Sequence, residues 1–251
     1  MHDDFQGRGY FQEAFGYHCI DEPEYHAGIL GSDIEAGIFF RLRKHNIWPF
    51  RQHEGFWEED DLFDVVELLF DLVSKPVRGR HHAYGGCGMH WTDFDQFEGQ
   101  FEFRQIVNQI LCDFEDGYEL GENGEIMRLA PKPLQPLLVA KIPRSEELTE
   151  DRISEAISKF RRHNSSIADR RDAVRNLADV LELLQPQMKK VLNRKDESAL
   201  FEIANKFGIR YLNSKQQLDY DEPIWLSWMF YFYLATIHAV LRMIEKSKKS
   251  Y

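Results

Sequence analysis

The spacing of hydrophobic positions predicts a chain built mainly of helices. Apolar residues recur at four-residue steps from Ile34 to Leu42, directly after Ser32 and Asp33. This pattern predicts a helix over residues 34–45, with one of those two polar residues as its N-cap. The same periodicity predicts further helices over residues 61–74, 97–113, 149–162, 171–184, 198–208 and 225–246.

Three stretches break the helical pattern. Asn123-Gly124 lies between short apolar runs and predicts a β-hairpin, because this dipeptide favours tight turns. Residues 75–92 are rich in glycine, and we interpret them as an irregular connection. The proline-rich segment after Ala130 predicts an extended linker, so we place the domain boundary near Arg144. The predicted architecture is mainly α, with units over 1–144 and 145–251 and a small hairpin between them.

Charge is distributed unevenly between these two units. The formal net charge is −11, yet residues 1–150 contain 13 Lys and Arg against 29 Asp and Glu, whereas residues 151–251 contain 18 against 13. A basic segment can contribute contacts to nucleic-acid phosphates, and an acidic one cannot bind nucleic acid by general electrostatics. The alternative is ordinary variation in surface charge.

The last predicted helix has the composition of a membrane span but lacks the length. Residues 225–241 contain no formal charge, and at 1.5 Å per residue they reach about 26 Å, short of the roughly 30 Å hydrocarbon core. We therefore interpret the helix as the core of a bundle. The first fifteen residues lack a secretory pattern and the three cysteines suggest no disulfide framework, so we expect a cytoplasmic protein without a membrane segment.

The stretch HHAYGGCGMHW, residues 81–91, is the first candidate site. His82, Cys87 and His90 offer nitrogen and sulfur ligands of the kind that zinc binds. The fourth ligand would be one of three nearby residues: Asp93, Asp95 or Cys112. No paired C-x-x-C motif is present, so the alternative is a glycine turn whose histidines bond to backbone. We expect the turn, without convergence of the three side chains, and hence no cofactor unless zinc binds here.

A second candidate site lies in the loop FGIRYLNSKQ. Arg210 follows a predicted helix, near Asn205, Tyr211 and Asn213, and an arginine there can bind phosphate. The alternative is that Arg210 caps the helix carbonyls or pairs with a nearby aspartate. His238, in the last helix, is a candidate general base if it faces a cleft and a core residue otherwise.

Two long regions resemble known families. FFRLRKHNIWPFRQHEGFWEEDDLFDVVELLFDLVSKP with GYELGENGEI resembles the N-terminal regions of AbiJ-type abortive-infection proteins, and RDAVRNLADVLELL with LFEIANKFGIRYLN resembles the four-helix HEPN-like module. The resemblance implies a bacterial cytosolic protein with a role in phage defence. Active HEPN-like ribonucleases pair an arginine with a histidine five to seven residues later, with four to six residues between them, at a dimer interface. Here Arg210 would be that arginine, but Lys, Gln and Gln occupy 215–217.

Because the histidine is missing from its place, we expect a binding or regulatory module that recognises nucleic acid or a partner defence protein. The alternative is a metal-independent ribonuclease toxin that uses Arg210 with His238 and acts on RNA as a homodimer. No Walker A, G-x-S-x-G or H-E-x-x-H motif is present, so the common phosphate-loop, esterase and metalloprotease classes lose support.

Overall fold

The protein is mainly α, as predicted. The computed structural model describes residues 1–21, 25–115, 117–140, 147–191 and 221–249, without the side chains of 147, 148, 248 and 249. The chain forms two compact units, Met1–Arg128 and Leu129–Tyr251. The division therefore falls before the proline-rich segment rather than near Arg144, because Leu137 and Leu138 pack on the core of the second unit.

Short helices and three two-stranded ribbons make up the first unit. Its helices are α1 (His2–Gly7), α2 (Gln12–Phe15), α3 (Ile34–Leu42), α4 (Phe50–His53), α5 (Glu59–Leu72) and α6 (Gln96–Leu111). Its strands are β1 (Tyr17–His18), β2 (Tyr25–His26), β3 (Lys75–His82), β4 (Gly88–Asp95), β5 (Tyr118–Leu120) and β6 (Ile126–Arg128). Each ribbon joins two strands that are consecutive in the chain, and every pairing is antiparallel. The short connections between the strands allow this arrangement alone.

Side-chain N-caps mark the residues at which three helices of the first unit begin. The Asp33 carboxylate accepts a hydrogen bond from the Ala36 backbone N–H and starts α3, as one of the two predicted caps. Glu58 and Asp61 form a capping box at the start of α5. Asp95 ends β4 and accepts from the Glu98 N–H at 3.0 Å, so the strand passes directly into α6.

The interpretation of residues 75–92 as an irregular connection is wrong. Residues 75–95 form the β3–β4 ribbon, in which Lys75 pairs with Asp95 and His82 with Gly88. The glycines serve its tip instead: Gly85, Gly86 and Gly88 all have positive φ, the region that other residues avoid. The predicted hairpin near Asn123-Gly124 is confirmed as β5–β6, with a loop of five residues rather than two.

Aromatic side chains dominate the core of the first unit. Phe103 of α6 is fully buried and lies edge-on to Phe5, with ring centroids 5.3 Å apart. Phe11 joins the same cluster 6.4 Å from Phe103. Such pairs gain stability from edge-to-face geometry in addition to burial. The core therefore holds α1, α6 and the start of α2 together, and β1 begins directly after α2.

The described part of the second unit contains the short α7 (Gln135–Val139) and three longer helices, α8 (Glu147–Arg161), α9 (Ile167–Met188) and α10 (Glu222–Lys249). The last three pack on one core of mainly aliphatic residues. The predicted helix over 198–208, which would complete the four-helix bundle that the HEPN-like resemblance implies, lies outside the described residues.

Among the described residues, α10 is the one helix long and apolar enough to cross a membrane. Half of its most apolar window is buried in the protein, and Leu226, Phe230 and Ile237 belong to the second core. A buried core helix of a soluble protein passes the same test, so α10 is compatible with the predicted soluble bundle.

Candidate functional site

A cluster of two cysteines and two histidines lies at the tip of the β3–β4 ribbon. His82, Cys87 and His90 each direct a ligand atom towards one region, and Cys19 joins them. All four atoms lie within 4.8 Å of one another. The three predicted residues therefore lie together at the ribbon tip, while the expectation that they would not come within about 2.0–2.3 Å of one centre stays a prediction.

The ribbon itself brings the three residues together. His82 ends β3 and His90 lies in β4, where it pairs with Arg80. Cys87 closes the glycine-rich turn, just before Gly88 begins β4. Cys19 follows β1 and reaches the tip from the N-terminal segment. Gly85 allows this approach, because a Cβ there would lie 2.6 Å from Ile20 Cδ1.

Distances within the cluster pair each sulfur with an imidazole. Cys87 Sγ lies 3.1 Å from His90 Nε2, and Cys19 Sγ lies 3.7 Å from His82 Nδ1. The other ring nitrogen of His82, Nε2, lies 3.0 Å from the Asp21 carboxylate. The His90 ring packs on Tyr17 with centroids 4.4 Å apart. Two residues of the N-terminal segment, Asp21 and Tyr17, therefore orient the imidazoles of His82 and His90.

The electrostatics favour a thiolate. The hydrogen bond with His82, the Ile20 backbone N–H and the contact with His90 lower the pKa of Cys87 to about 6. The same contact with Cys87 and the carboxylate of Asp21 raise the pKa of His82, although burial opposes this. The His18 carbonyl, 3.5 Å from Cys87 Sγ, can accept from the thiol form. Because this pKa lies below 7, the thiolate is the favoured state of Cys87 at neutral pH.

The three residues predicted as fourth ligands are engaged elsewhere. Asp93 forms an ion pair with Arg78, and Asp95 caps α6. Cys112 is exposed after the end of α6, and its thiol donates to the Gln109 carbonyl. Cys19, which sequence reasoning missed, takes their place and is buried. Its only sequence signal was the shared residue type, because it lies 63 positions before His82.

The second unit concentrates positive charge at the turn between α8 and α9. Residues 159–175 contain six cations, Lys159, Arg161, Arg162, Arg170, Arg171 and Arg175, and two acids. We call this segment the basic turn. Both acids have local roles: Asp169 completes the capping box with Ser166, and Asp172 pairs with Arg175 at 3.1 Å. Arg171 pairs with Glu222 of α10 at 2.6 Å.

Aromatic packing fixes the base of the basic turn. Phe160 stacks on Phe230 of α10 with ring centroids 4.0 Å apart. The guanidinium of Arg170 lies over Phe160, 5.6 Å from the ring centroid. Burial raises the pKa of Tyr231, while Arg161 and Arg170 act in the opposite direction, which places both cations near this ring. The turn therefore presents Arg162 and Arg175 as exposed cations above an aromatic base, whereas Arg161 is buried.

His238 lies on the buried face of α10 and is 6% exposed. Burial, and to a lesser extent Arg242, lowers its pKa, so the imidazole is neutral at pH 7. Its Nδ1 makes no hydrogen bond within the described part of the chain. The remaining predicted site residues, Asn205, Arg210, Tyr211 and Asn213, lie outside the described residues.

Comparison with family models, curated proteins and solved structures returned no match to this chain.

Proposed function

We propose that the protein is a cytoplasmic, non-catalytic binding protein of a bacterial phage-defence system, and that it recognises RNA through the basic turn. The observation that carries the proposal is the concentration of six cations in residues 159–175 of an otherwise acidic chain. The resemblance to AbiJ-type proteins and HEPN-like modules supports the same class of ligand.

Electrostatics favour a phosphate-bearing partner at the basic turn. Residues 159–175 contain six cations and two acids, Asp169 and Asp172, and Glu222 of α10 pairs with Arg171. The N-terminus of α9, a helix of 22 residues, adds the positive end of its dipole at the same place. Arginine suits this role because its planar guanidinium binds phosphate oxygens in pairs. The acidic first unit would repel the same ligand and confine it to the second.

Charge reversal at the basic turn tests the proposal. We expect Arg162→Glu and Arg175→Glu together to weaken binding of a single-stranded RNA oligonucleotide by at least about tenfold and to flatten its salt dependence. Arg152→Glu is the matched control, because it lies on α8 about 15 Å along the helix from Arg162. Equal losses in both proteins, or no binding by the unaltered chain, would refute RNA recognition at this surface.

The defence role has its own test. We expect a bacterial strain that expresses the chain to yield fewer phage plaques than the same strain with an empty vector. The Arg162→Glu, Arg175→Glu protein should lose this protection if RNA recognition underlies it. Protection that survives the double reversal would instead favour recognition of a partner defence protein.

A ribonuclease is the second candidate. His238, its general base, is neutral and has an unpartnered Nδ1, which is the protonation state required, but it lies on the buried face of α10. RNA cleavage by the unaltered chain, abolished by both Arg210→Ala and His238→Gln, would replace the binding proposal with this one. We expect intact RNA, because no histidine follows Arg210 at the spacing of the active motif. A mass measurement in solution tests the homodimer that the ribonuclease reading requires.

A further inference from the structure

We propose that Cys19, His82, Cys87 and His90 bind one zinc ion, which joins the N-terminal segment to the tip of the β3–β4 ribbon. The site lies in the first unit and is independent of the proposed RNA recognition in the second.

The separations in the cluster match a tetrahedral zinc site. Metal–ligand bonds of about 2.0–2.3 Å give a tetrahedron with edges of about 3.3–3.8 Å. The Cys87–His90 and Cys19–His82 contacts, at 3.1 and 3.7 Å, are already close to such edges. No pair of ligand atoms is more than 4.8 Å apart. Side-chain rotations that shorten the longest separation by about 1 Å would complete the geometry.

The ligand set identifies the metal class. Two sulfurs and two imidazoles form the mixed set of structural zinc sites, whereas calcium and magnesium select oxygen ligands. Hydrogen bonds alone would explain one Cys–His pair, but two such pairs facing each other leave four ligand atoms around one centre. Four residues from two separate segments meet here, which an incidental surface contact would not require.

The surroundings are those of a prepared site. Histidines that bind metal usually donate their second ring nitrogen to a carboxylate or carbonyl, which fixes the ring. His82 has this arrangement: Nδ1 faces Cys19, and Nε2 lies 3.0 Å from Asp21. Tyr17 holds the His90 ring by packing on one face of it. Asp21 and Tyr17 flank Cys19 in sequence, so one short segment carries a ligand and both supports.

Four protein ligands leave no position for water or substrate, so the site is structural rather than catalytic. Its mechanical role follows from the chain path. β1 has only two residues, and Cys19 leads away from it. A zinc ion bound to Cys19 and to three residues of the ribbon would hold this segment in place where the backbone provides few hydrogen bonds.

Metal content tests the site directly. We expect the full chain, purified without chelator, to contain one zinc per chain by elemental analysis. Cys19→Ser and His82→Ala should each lose most of it. The matched controls are Cys112→Ser and His81→Ala, which change the same residue types outside the cluster and should keep full occupancy. Substoichiometric metal in the unaltered chain, or full zinc in Cys19→Ser, would overturn the proposal.

Cobalt substitution covers the case in which a ligand variant fails to fold. With Co²⁺ the unaltered chain should show the intense visible bands of a tetrahedral site and a near-ultraviolet thiolate charge-transfer band. His90→Cys should keep the tetrahedral bands and raise the charge-transfer intensity in proportion to the thiolates, about 1.5-fold. Weak octahedral bands would overturn the proposal. Rapid alkylation of Cys87 in the unaltered chain as purified without chelator would also overturn it, because bound zinc protects its thiolate ligands.

Discussion

The two units of this protein differ in the length of their helices and in the side chains that form their cores. The first unit has short helices, the longest being α6 with 16 residues, and three small ribbons around an aromatic core. The second has helices of 22 and 28 residues, α9 and α10, around a largely aliphatic core. Long helices satisfy their backbone internally, whereas short elements depend on contacts between distant parts of the chain.

This difference explains why the first unit needs additional side-chain contacts between its segments. In the first unit, the segment around β1 forms only two residues of strand, and side chains of Gln12, Cys19 and Asp21 connect it to the β3–β4 ribbon. In the described part of the second unit, the capping box of α9 and packing along three helices hold the elements together. We therefore expect the first unit to be the more sensitive to loss of single side chains and of metal.

Truncation of the two cores should give the largest effects. Phe103→Ala and Leu177→Ala both remove fully buried side chains, one from each unit. We expect losses of about 3–5 kcal/mol for Phe103 and about 2–5 kcal/mol for Leu177, because each leaves a cavity. Urea denaturation followed by circular dichroism measures both. Losses below about 1 kcal/mol at either position would show that its core is not packed as described.

Removal of metal should distinguish the two units more clearly, because only the first is expected to lose stability. If the zinc proposal holds, a chelator should speed amide exchange at the β3–β4 tip at least about tenfold, or about 1.4 kcal/mol of local stability. Exchange within α9 should remain unchanged, and this provides an internal control. Hydrogen-exchange mass spectrometry resolves the two regions. A uniform increase in both would contradict a local role for the metal.

The two helix caps offer a balanced comparison. Asp33→Ala and Ser166→Ala remove the caps of α3 and α9, each of which accepts a backbone N–H. We expect about 1 kcal/mol at each site, and the larger loss at Ser166 because its capping box is reciprocal. Denaturant midpoints give the values. Asp33→Ser and Ser166→Asn are the controls that should retain most of the stability, and equal losses in controls and alanine variants would argue against capping.

Acid should produce the smallest effect, which we examine at Asp61 of the first unit. Lys44 lies 2.7 Å from Asp61 and 2.6 Å from Asp64, and its hydrogen bond lowers the pKa of Asp61. A lowered folded-state pKa gives stability that is present above the unfolded value, about 3.9, and is lost as pH falls through the folded value. We expect this loss to stay below about 1 kcal/mol.

Lys44→Met provides the comparison for that acid effect. Stability measured from about pH 5 down to about pH 2 should fall less steeply in this variant, because Asp61 then loses the cation that lowers its pKa. An unchanged slope would assign the acid sensitivity to other carboxylates.

Periodicity predicted the helices well and the ribbon poorly. The stripes of α5 and α9 are regular because each helix presents one face to one core, and their predicted spans overlap the observed ones. The β3–β4 strands show no such alternation. Arg78 and Arg80 lie in β3 largely exposed, and glycine at 79 lets the Trp91 ring cover the backbone. A ribbon without a continuous apolar face has no hydrophobic signature to detect.

The metal ligands were predicted in part for a related reason. His82, Cys87 and His90 are close in sequence, so spacing alone suggested them. Cys19 is distant, and only the fold reveals that β1 delivers it to the ribbon tip. Asp93, Asp95 and Cys112 were nearer in sequence, but strand direction and the α6 cap direct them elsewhere. Local chemistry can be read from a sequence, whereas convergence of distant segments cannot.

Gln12 has a consequence for the solubility of the whole chain. Its amide donates to the Met89 carbonyl at 3.0 Å and accepts from the Trp91 N–H at 2.6 Å, as the peptide group of a neighbouring strand would. One side chain thus occupies the outer edge of β4, where an open ribbon would otherwise invite pairing with another molecule. A leucine at this position would keep the bulk and uncover that edge, which would then be open to pairing with another molecule.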